Sequence, residues 1–462
     1  MGCLAQDTRV TGPPPTHRRD LTIYIAHSAA TGNVGDDAML LNAMIRLRKH
    51  FPDCRLRVPL RRGRPLLAGL PEHDVVPDVL ELFDHVLRAT APLRLWHRWP
   101  DPARRGGGPA VEWRRRASDL LALAVDRTNG RVALRGLRAL LSSHVLYITG
   151  DNALNDFNPA GVIARSWLTR IARLHGLLIV LSAQGIGPIE QRWALNVLRD
   201  IFATANLVSY RDHSFGAALG ARLAPRGLWQ AVVGDEAFSL PAARPSEAAS
   251  VLHRAGVAPG GSYIAVHFRE ADFTPQPKDL RRHIAVVLDG IALRYPEPLL
   301  FFPMSYLTRY GVDAEYGRAI QSMMAEPHRL RIVEGTTHPC LIKACVSQAR
   351  LTVGSSYHMN VFGLSQGVPA VVAYSGEYYA AKSHGLVDFY GAPNVAIDMK
   401  ASTPTSVIAA AEAALEQEHL TRKRIAEINR RIAELNEAHL SELARRLDTG
   451  ARQGNSIRPP RR

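Results

Sequence analysis

Cysteine is scarce in this chain: four residues in 462, at positions 3, 54, 340 and 345. No pair has the spacing of a zinc knuckle or a redox motif, so the fold rests on neither disulfides nor a metal clip. That profile predicts a reducing, cytoplasmic setting. No stretch of about 18 apolar residues occurs, so no spanning helix is expected. The N-terminal MGCLAQDTRVTGPPPTHRRD lacks the apolar core of a secretory signal. Acidic residues are also in short supply, 42 against 57 basic ones, for a net charge of +15. Such a surface attracts nucleic acid, anionic lipid or small anions alike. Arginine dominates the excess and favours bidentate phosphate or carboxylate contacts; a GC-rich genome would give the same bias.

What is present is an ordinary globular composition, 46% hydrophobic and 21% charged, in a chain long enough for two domains. From Leu21 onward apolar runs alternate with amphipathic stretches. LTIYIAHS, HVLYITG, LLIVLSAQG, ANLVSYRD and QAVVGD read as strands, and DDAMLLNAMIRLRKHF and ARSWLTRIARLHG as helices. Short buried runs separated by helices indicate parallel βαβ units. Composition shifts to proline and small residues over Ala237–Ser250, and a second series follows: SYIAVHFRE, LLFFPMS, RLRIVEG, ARLTVGS and PAVVAYS. The fold expected is α/β, with two Rossmann-like domains over 20–240 and 241–403 facing a cleft, and a long C-terminal helix over 404–449. Residues 1–19 and the basic 450–462 are expected to be disordered. The Gly/Pro-rich, tryptophan-bearing insertion 92–118 reads as a disordered or capping segment, or as a patch for an anionic membrane face or polyanionic substrate.

In such sheets ligands sit beyond the carboxyl ends of the strands, and the polar signatures cluster there. TGNVGDDAML places Asn33, Gly35 and Asp36 at a turn and helix start, with Asp36 as the cap. GDNALND and AQGIGPI end two further strands and present Asp151, Asn152, Gln184 and Gly185. SYRD adds Arg211 beside Asp212, a pairing that reads equally as a structural salt bridge. In the second unit, HFRE leaves Arg269 at a strand end, suited to clamping a carboxylate or phosphate. Asp313 reads as a helix cap. Ser355 and Ser356 precede a helix whose amides suit an anion, and His358 follows, a group able to move a proton near neutral pH.

The ordered set GNVGDDAML, GDNALND, AQGIGPI, SYRD, VGDEAF, HFRE, SSYHMNVFGLSQGVPAVVAY and Lys382 resembles the polysaccharide pyruvyltransferase family over roughly residues 21–400. The resemblance implies a fold similar to the GT-B glycosyltransferases. It implies transfer of a pyruvyl group from phosphoenolpyruvate to a sugar of a cell-surface polysaccharide or its lipid-linked precursor, as a ketal. His358 falls on the family's acid/base histidine and Arg269 on the donor-binding arginine; both are expected to be catalytic. Ser355, Ser356 and Lys382 would complete the donor site. Two positions depart: Ser356 stands where members often carry arginine, and Gly150-Asp151-Asn152 replaces a glycine triplet.

Asn33, Gly35, Asp36, Asp151, Asn152, Gln184, Gly185 and Arg211 are expected to face the acceptor. No metal, other cofactor or nucleic acid is called for. A lipid-linked acceptor would bring peripheral contact with the inner face of an anionic membrane. Two other readings stay open: a GT-B glycosyltransferase using a nucleotide sugar, and a non-catalytic glycan-binding protein.

Overall fold

Runs of apolar residues buried on both faces build the centre of each half. In this computed structural model, which describes residues 20–27, 32–60, 66–80, 130–269, 280–306 and 313–452, VLYI and LIVLSAQ form fully buried strands. The first half runs β1 (Thr22–Ala26), α1 (Val34–His50), β2 (Arg55–Leu60), β3 (Asp74–Pro77), α2 (Gly130–Leu141), β4 (Val145–Ile148), α3 (Pro159–Leu174), β5 (Leu178–Gln184), α4 (Arg192–Thr204) and β6 (Leu207–Tyr210). A π-helical turn (His213–Ala217), α5 (Ala218–Leu223) and β7 (Trp229–Val232) complete it. All seven strands are parallel, in the order β3-β2-β1-β4-β5-β6-β7.

The second half runs α6 (Pro245–Arg254), β8 (Ile264–His267), α7 (Leu280–Arg294), β9 (Leu299–Phe301), α8 (Asp313–Gln321), β10 (Leu330–Ile332), α9 (Pro339–Val346), β11 (Leu351–Gly354), α10 (Tyr357–Ser365), β12 (Ala370–Tyr374), α11 (Glu377–Tyr390) and β13 (Val395–Asp398). Its six parallel strands are ordered β10-β9-β8-β11-β12-β13. Each sheet therefore reverses direction next to its first strand, at β1/β4 and at β8/β11, and these crevices are where such sheets hold ligands.

Three strands carry no sequence signal. In β2, RLRVPL, arginines and a proline interrupt the apolar run; β3 and β13 are sheet edges, only partly buried. The helix expected over 404–449 is two: α12 (Pro404–Glu416) and α13 (Glu418–Arg452), broken at Gln417. Helix α12 lies against the second sheet, with Val407, Ala411 and Ala414 in its core. Helix α13 turns away and crosses to the first half. Its Ile425 and Ile432 pack under α10 and α11, and its Leu440, Leu443 and Leu447 join the first core. No glycine or proline marks that break. Residues 1–19, the insertion 92–118 and the tail beyond 452 lie outside the described residues.

Helix α1 has no polar face because it is wrapped by both halves. Leu40, Ala43, Met44 and Leu47 pack in the first core; Val34, Ala38, Met39 and Leu41 pack with Tyr263, Phe302 and Phe362 of the second. Its Arg46 is buried against Glu236 at 3.3 Å, and Glu236 also accepts the Tyr147 hydroxyl at 3.2 Å. The loop after β9 is hydrogen-bonded to the start of α1: Val34 N–H donates to Met304 O (2.9 Å), Tyr306 N–H to Gly32 O (3.0 Å), and the Tyr306 hydroxyl to Asp37 Oδ2 (2.6 Å). Cys54, Cys340 and Cys345 are buried and form no disulfide among the described residues. Among the described residues no helix is long and apolar enough to cross a membrane.

Candidate active site

At the β8/β11 crevice the chain is stapled by its own polar groups. Ser355 N–H donates to His267 O (2.8 Å), and Ser355 Oγ accepts the Arg269 N–H (3.2 Å). Ser356 caps α10, its Oγ taking the Met359 N–H at 3.3 Å. The Arg269 guanidinium is held by Asp313, Nη2 to Oδ2 at 2.8 Å, while its Nε is buried with no partner among the described residues. Asp313, expected to cap a helix, instead ties four groups together. Its Oδ2 also accepts His267 Nε2 (2.8 Å) and the N–H groups of Met304 (2.8 Å) and Ser305 (2.7 Å). Burial alone would raise the Asp313 pKa, but Arg269 and His267 outweigh it and hold it at about 2.

His358 stands in the first turn of α10, its side chain 16% exposed. Its ring packs on Gly35 of the other half, where an added Cβ would fall 1.9 Å from Nδ1. Its Nε2 is 3.9 Å from Asp235 Oδ1 and has no hydrogen-bond partner among the described residues. Burial first, then the charges of Lys382, Arg211 and Arg269, hold its pKa well below the ordinary histidine value. The imidazole is therefore neutral at pH 7. Tyr357 beside it meets the ring edge-to-face at 5.4 Å.

From the first half, the Arg211 guanidinium carbon lies 4.4 Å over the Tyr357 ring, Nη2 donates to Asn152 Oδ1 (2.8 Å), and Nη1 is 3.8 Å from Asp235 Oδ2. Gly185 leaves room for it: a Cβ there would sit 2.4 Å from Nη2. Arg211 does not pair with its neighbour Asp212, whose Oδ1 caps the π-helical turn through the N–H groups of Phe215 and Gly216, both at 2.9 Å. Lys382 Nζ is 4.6 Å from the Tyr378 ring and 6.0 Å from those of Tyr357 and Tyr379. Arg211, Arg269 and Lys382 thus converge on His358 from three elements.

The remaining residues expected on the acceptor side divide. Asn33, not Asp36, caps α1, its Oδ1 accepting Gly35 N–H at 2.9 Å. Asp151 is buried, ion-paired with Arg165, and caps the turn at Ala153. Gln184 is 0% exposed and its Nε2 donates to the carbonyls of Ile148, Thr149 and Ser182, so it shapes the strand ends. The alternation that would aim it outward fails at a bulge, where the register shifts and Ala183 sits at φ +50°. Asp36 remains: half-buried, with no hydrogen bond or ion pair to its carboxylate among the described residues. Sequence reasoning missed the roles of His267 and Asp313, because the partners that reveal them lie far along the chain. Among the described residues no three His, Cys, Asp or Glu side chains converge to hold a metal ion.

Three cations thus act on the His358 imidazole, and nearby Asp36 has no partner for its carboxyl among the described residues. No curated protein matches the chain. The solved structures it resembles include a putative UDP-N-acetylglucosamine 2-epimerase from Listeria monocytogenes (TM-score 0.51, 11% identity, covering 92% of this chain and 97% of that one). They also include the α,α-trehalose 6-phosphate synthase of Burkholderia multivorans (TM-score 0.51, 12%, 93% and 99%). A third is a Glycyrrhiza uralensis protein complexed with glycyrrhetinic acid 3-O-monoglucuronide (TM-score 0.54, 9%, 94% and 96%). At such identities the likeness concerns the fold, which is of the GT-B type. The sequence profile of the family described as polysaccharide pyruvyl transferase matches residues 33–377.

Proposed function

This chain belongs to the polysaccharide pyruvyl transferase family, and we propose that it moves a pyruvyl group from phosphoenolpyruvate to two hydroxyls of a lipid-linked or nucleotide-linked sugar. One observation carries the choice of donor: three cations, Arg211, Arg269 and Lys382, act on buried His358 and, with its burial, hold its pKa well below the ordinary value. Phosphoenolpyruvate brings a carboxylate and a phosphate, which the arginine forks and the lysine complement.

Donor binding offsets the positive field, so His358 gains a proton as the donor arrives. The imidazolium gives that proton to the donor's methylene carbon, and C2 takes on oxocarbenium character. In that same step an acceptor hydroxyl adds to C2; phosphate then leaves with the C–O electron pair, and a second hydroxyl closes the ketal. Of the two hydroxyl protons released, one balances the proton placed on carbon and the other leaves with phosphate. Proton transfer through a positioned imidazole contributes about 10²- to 10⁴-fold, and the cations favour the charge of the departing phosphate.

A nucleotide-sugar donor is the competing reading. It is supported by the likeness of the fold to proteins of the GT-B type. The deciding experiment incubates the protein with phosphoenolpyruvate and a panel of lipid-linked and nucleotide-linked sugars, with phosphate release and product mass as readouts. Acceptor-dependent phosphate release with a pyruvyl ketal in the product is the expected result. Thermal stabilisation by a nucleotide sugar, with no phosphate release from any acceptor, would overturn the reading.

A further inference from the structure

We infer that Asp36 is a second catalytic residue, the base that takes the proton of the first attacking acceptor hydroxyl and then delivers it to the departing phosphate. The inference rests on the pyruvyl-transfer reading. While His358 hands its proton to carbon it cannot accept one, so the hydroxyl that attacks C2 in the same step needs another base. Asp36 is placed for it. It follows Gly35, on which the His358 ring packs, so the carboxyl and the imidazole come from adjoining points of the cleft, one from each half.

The structural duties expected of Asp36 are filled by its neighbours. Asn33 caps α1, and Asp37 accepts the Tyr306 hydroxyl at 2.6 Å, which leaves the Asp36 carboxyl without a partner among the described residues. The charged and titratable groups around it are Asp37 on its own helix, Asp151 after β4, Lys382 on α11 and Arg269 after β8, with His27 and His358 close by. Burial first, then Asp37, raise its pKa to about 7, against the pull of Lys382 and Arg269. A group titrating there exchanges protons in both directions near neutral pH.

The proton count closes. His358 is acid to carbon and then base to the second hydroxyl; Asp36 is base to the first hydroxyl and then acid to phosphate. Both end the cycle as they began, and the second hydroxyl proton regenerates the imidazolium.

The test compares wild type, Asp36→Asn and Asp36→Glu. Wild-type phosphate release from phosphoenolpyruvate checks the underlying reading separately. Given that activity, Asp36→Asn should keep phosphoenolpyruvate affinity by calorimetry while kcat falls at least about a hundredfold. Wild-type kcat/KM should fall as pH drops below about 7, the value to which Asp36 is raised. That acid limb should vanish in Asp36→Asn and persist in Asp36→Glu. An infrared difference between wild type and Asp36→Asn needs no donor, and should show a protonated carboxyl band at about pH 6 that is lost at about pH 8. A folded Asp36→Asn within roughly threefold of the wild-type rate would overturn the assignment. So would an unchanged acid limb, or a carboxyl already ionised at about pH 6.

Discussion

Gly35 and His358 touch across the cleft, backbone to imidazole, with no space between them for a methyl group. The proposed proton carrier of the second half is thus positioned by a residue of the first. Gly35→Ala should push the ring from its place. A displacement of about 1 Å at a reacting group costs on the order of a hundredfold in rate, so kcat should fall by about that factor while phosphoenolpyruvate still binds. Steady-state kinetics and calorimetry separate the two effects.

Burial and three cations disfavour the charged form of His358 and hold its pKa well below the ordinary value. An anionic donor reverses that balance. Phosphoenolpyruvate binding at pH 7 should therefore take up protons, measured as a binding enthalpy that varies with the ionisation heat of the buffer. His358→Gln should reduce the uptake to what Asp36 contributes. His358→Ala should bind donor and release no phosphate.

Asp313 holds Arg269, and Asp313→Asn should weaken phosphoenolpyruvate binding by about 10- to 100-fold, or about 1.4–2.8 kcal/mol, with a smaller change in kcat. Its folded pKa of about 2 lies below the ordinary carboxylate value. The stability it contributes is therefore present above about pH 4 and lost as pH falls toward about 2. Denaturant titrations across that window should show a pH slope in wild type that flattens in Asp313→Asn.

Asp36 has the opposite sign. Its folded pKa is raised to about 7, so its contribution is full below about pH 4 and lost as pH rises through about 7. Asp36→Asn should melt above wild type at about pH 8, with the gap closing toward about pH 4.

Arg46 and Glu236 form an ion pair with side chains 7% and 0% exposed. Arg46→Ala leaves a carboxylate sealed from water, a loss of about 3–5 kcal/mol measurable by denaturant unfolding. The double change Arg46→Met, Glu236→Gln should recover most of it.

The legible parts of this molecule were those written in contiguous residues. Strands such as VLYI announce themselves because both faces are buried; RLRVPL does not, because its place near the sheet edge admits arginine and proline. At the site, Arg269, Lys382 and His358 follow strand ends and were found there. Gln184, expected to face the acceptor, is fully buried beside the bulge at Ala183, a burial that the strand-end motif does not reveal. Asp36 read as a cap, but Asn33 takes that place. The grip of Asp313 on Arg269 is made between segments with no local pattern to link them.

Leu440, Leu443 and Leu447 lie in one cluster with Leu21, Ile23 and Ile25. The core of the first half is therefore completed by a helix that follows the whole second half in the chain. On the ribosome the later sheet can assemble from unbroken chain, while the earlier one waits, an apolar flank bare, until α13 emerges. Chaperone demand during synthesis should accordingly fall on the first half.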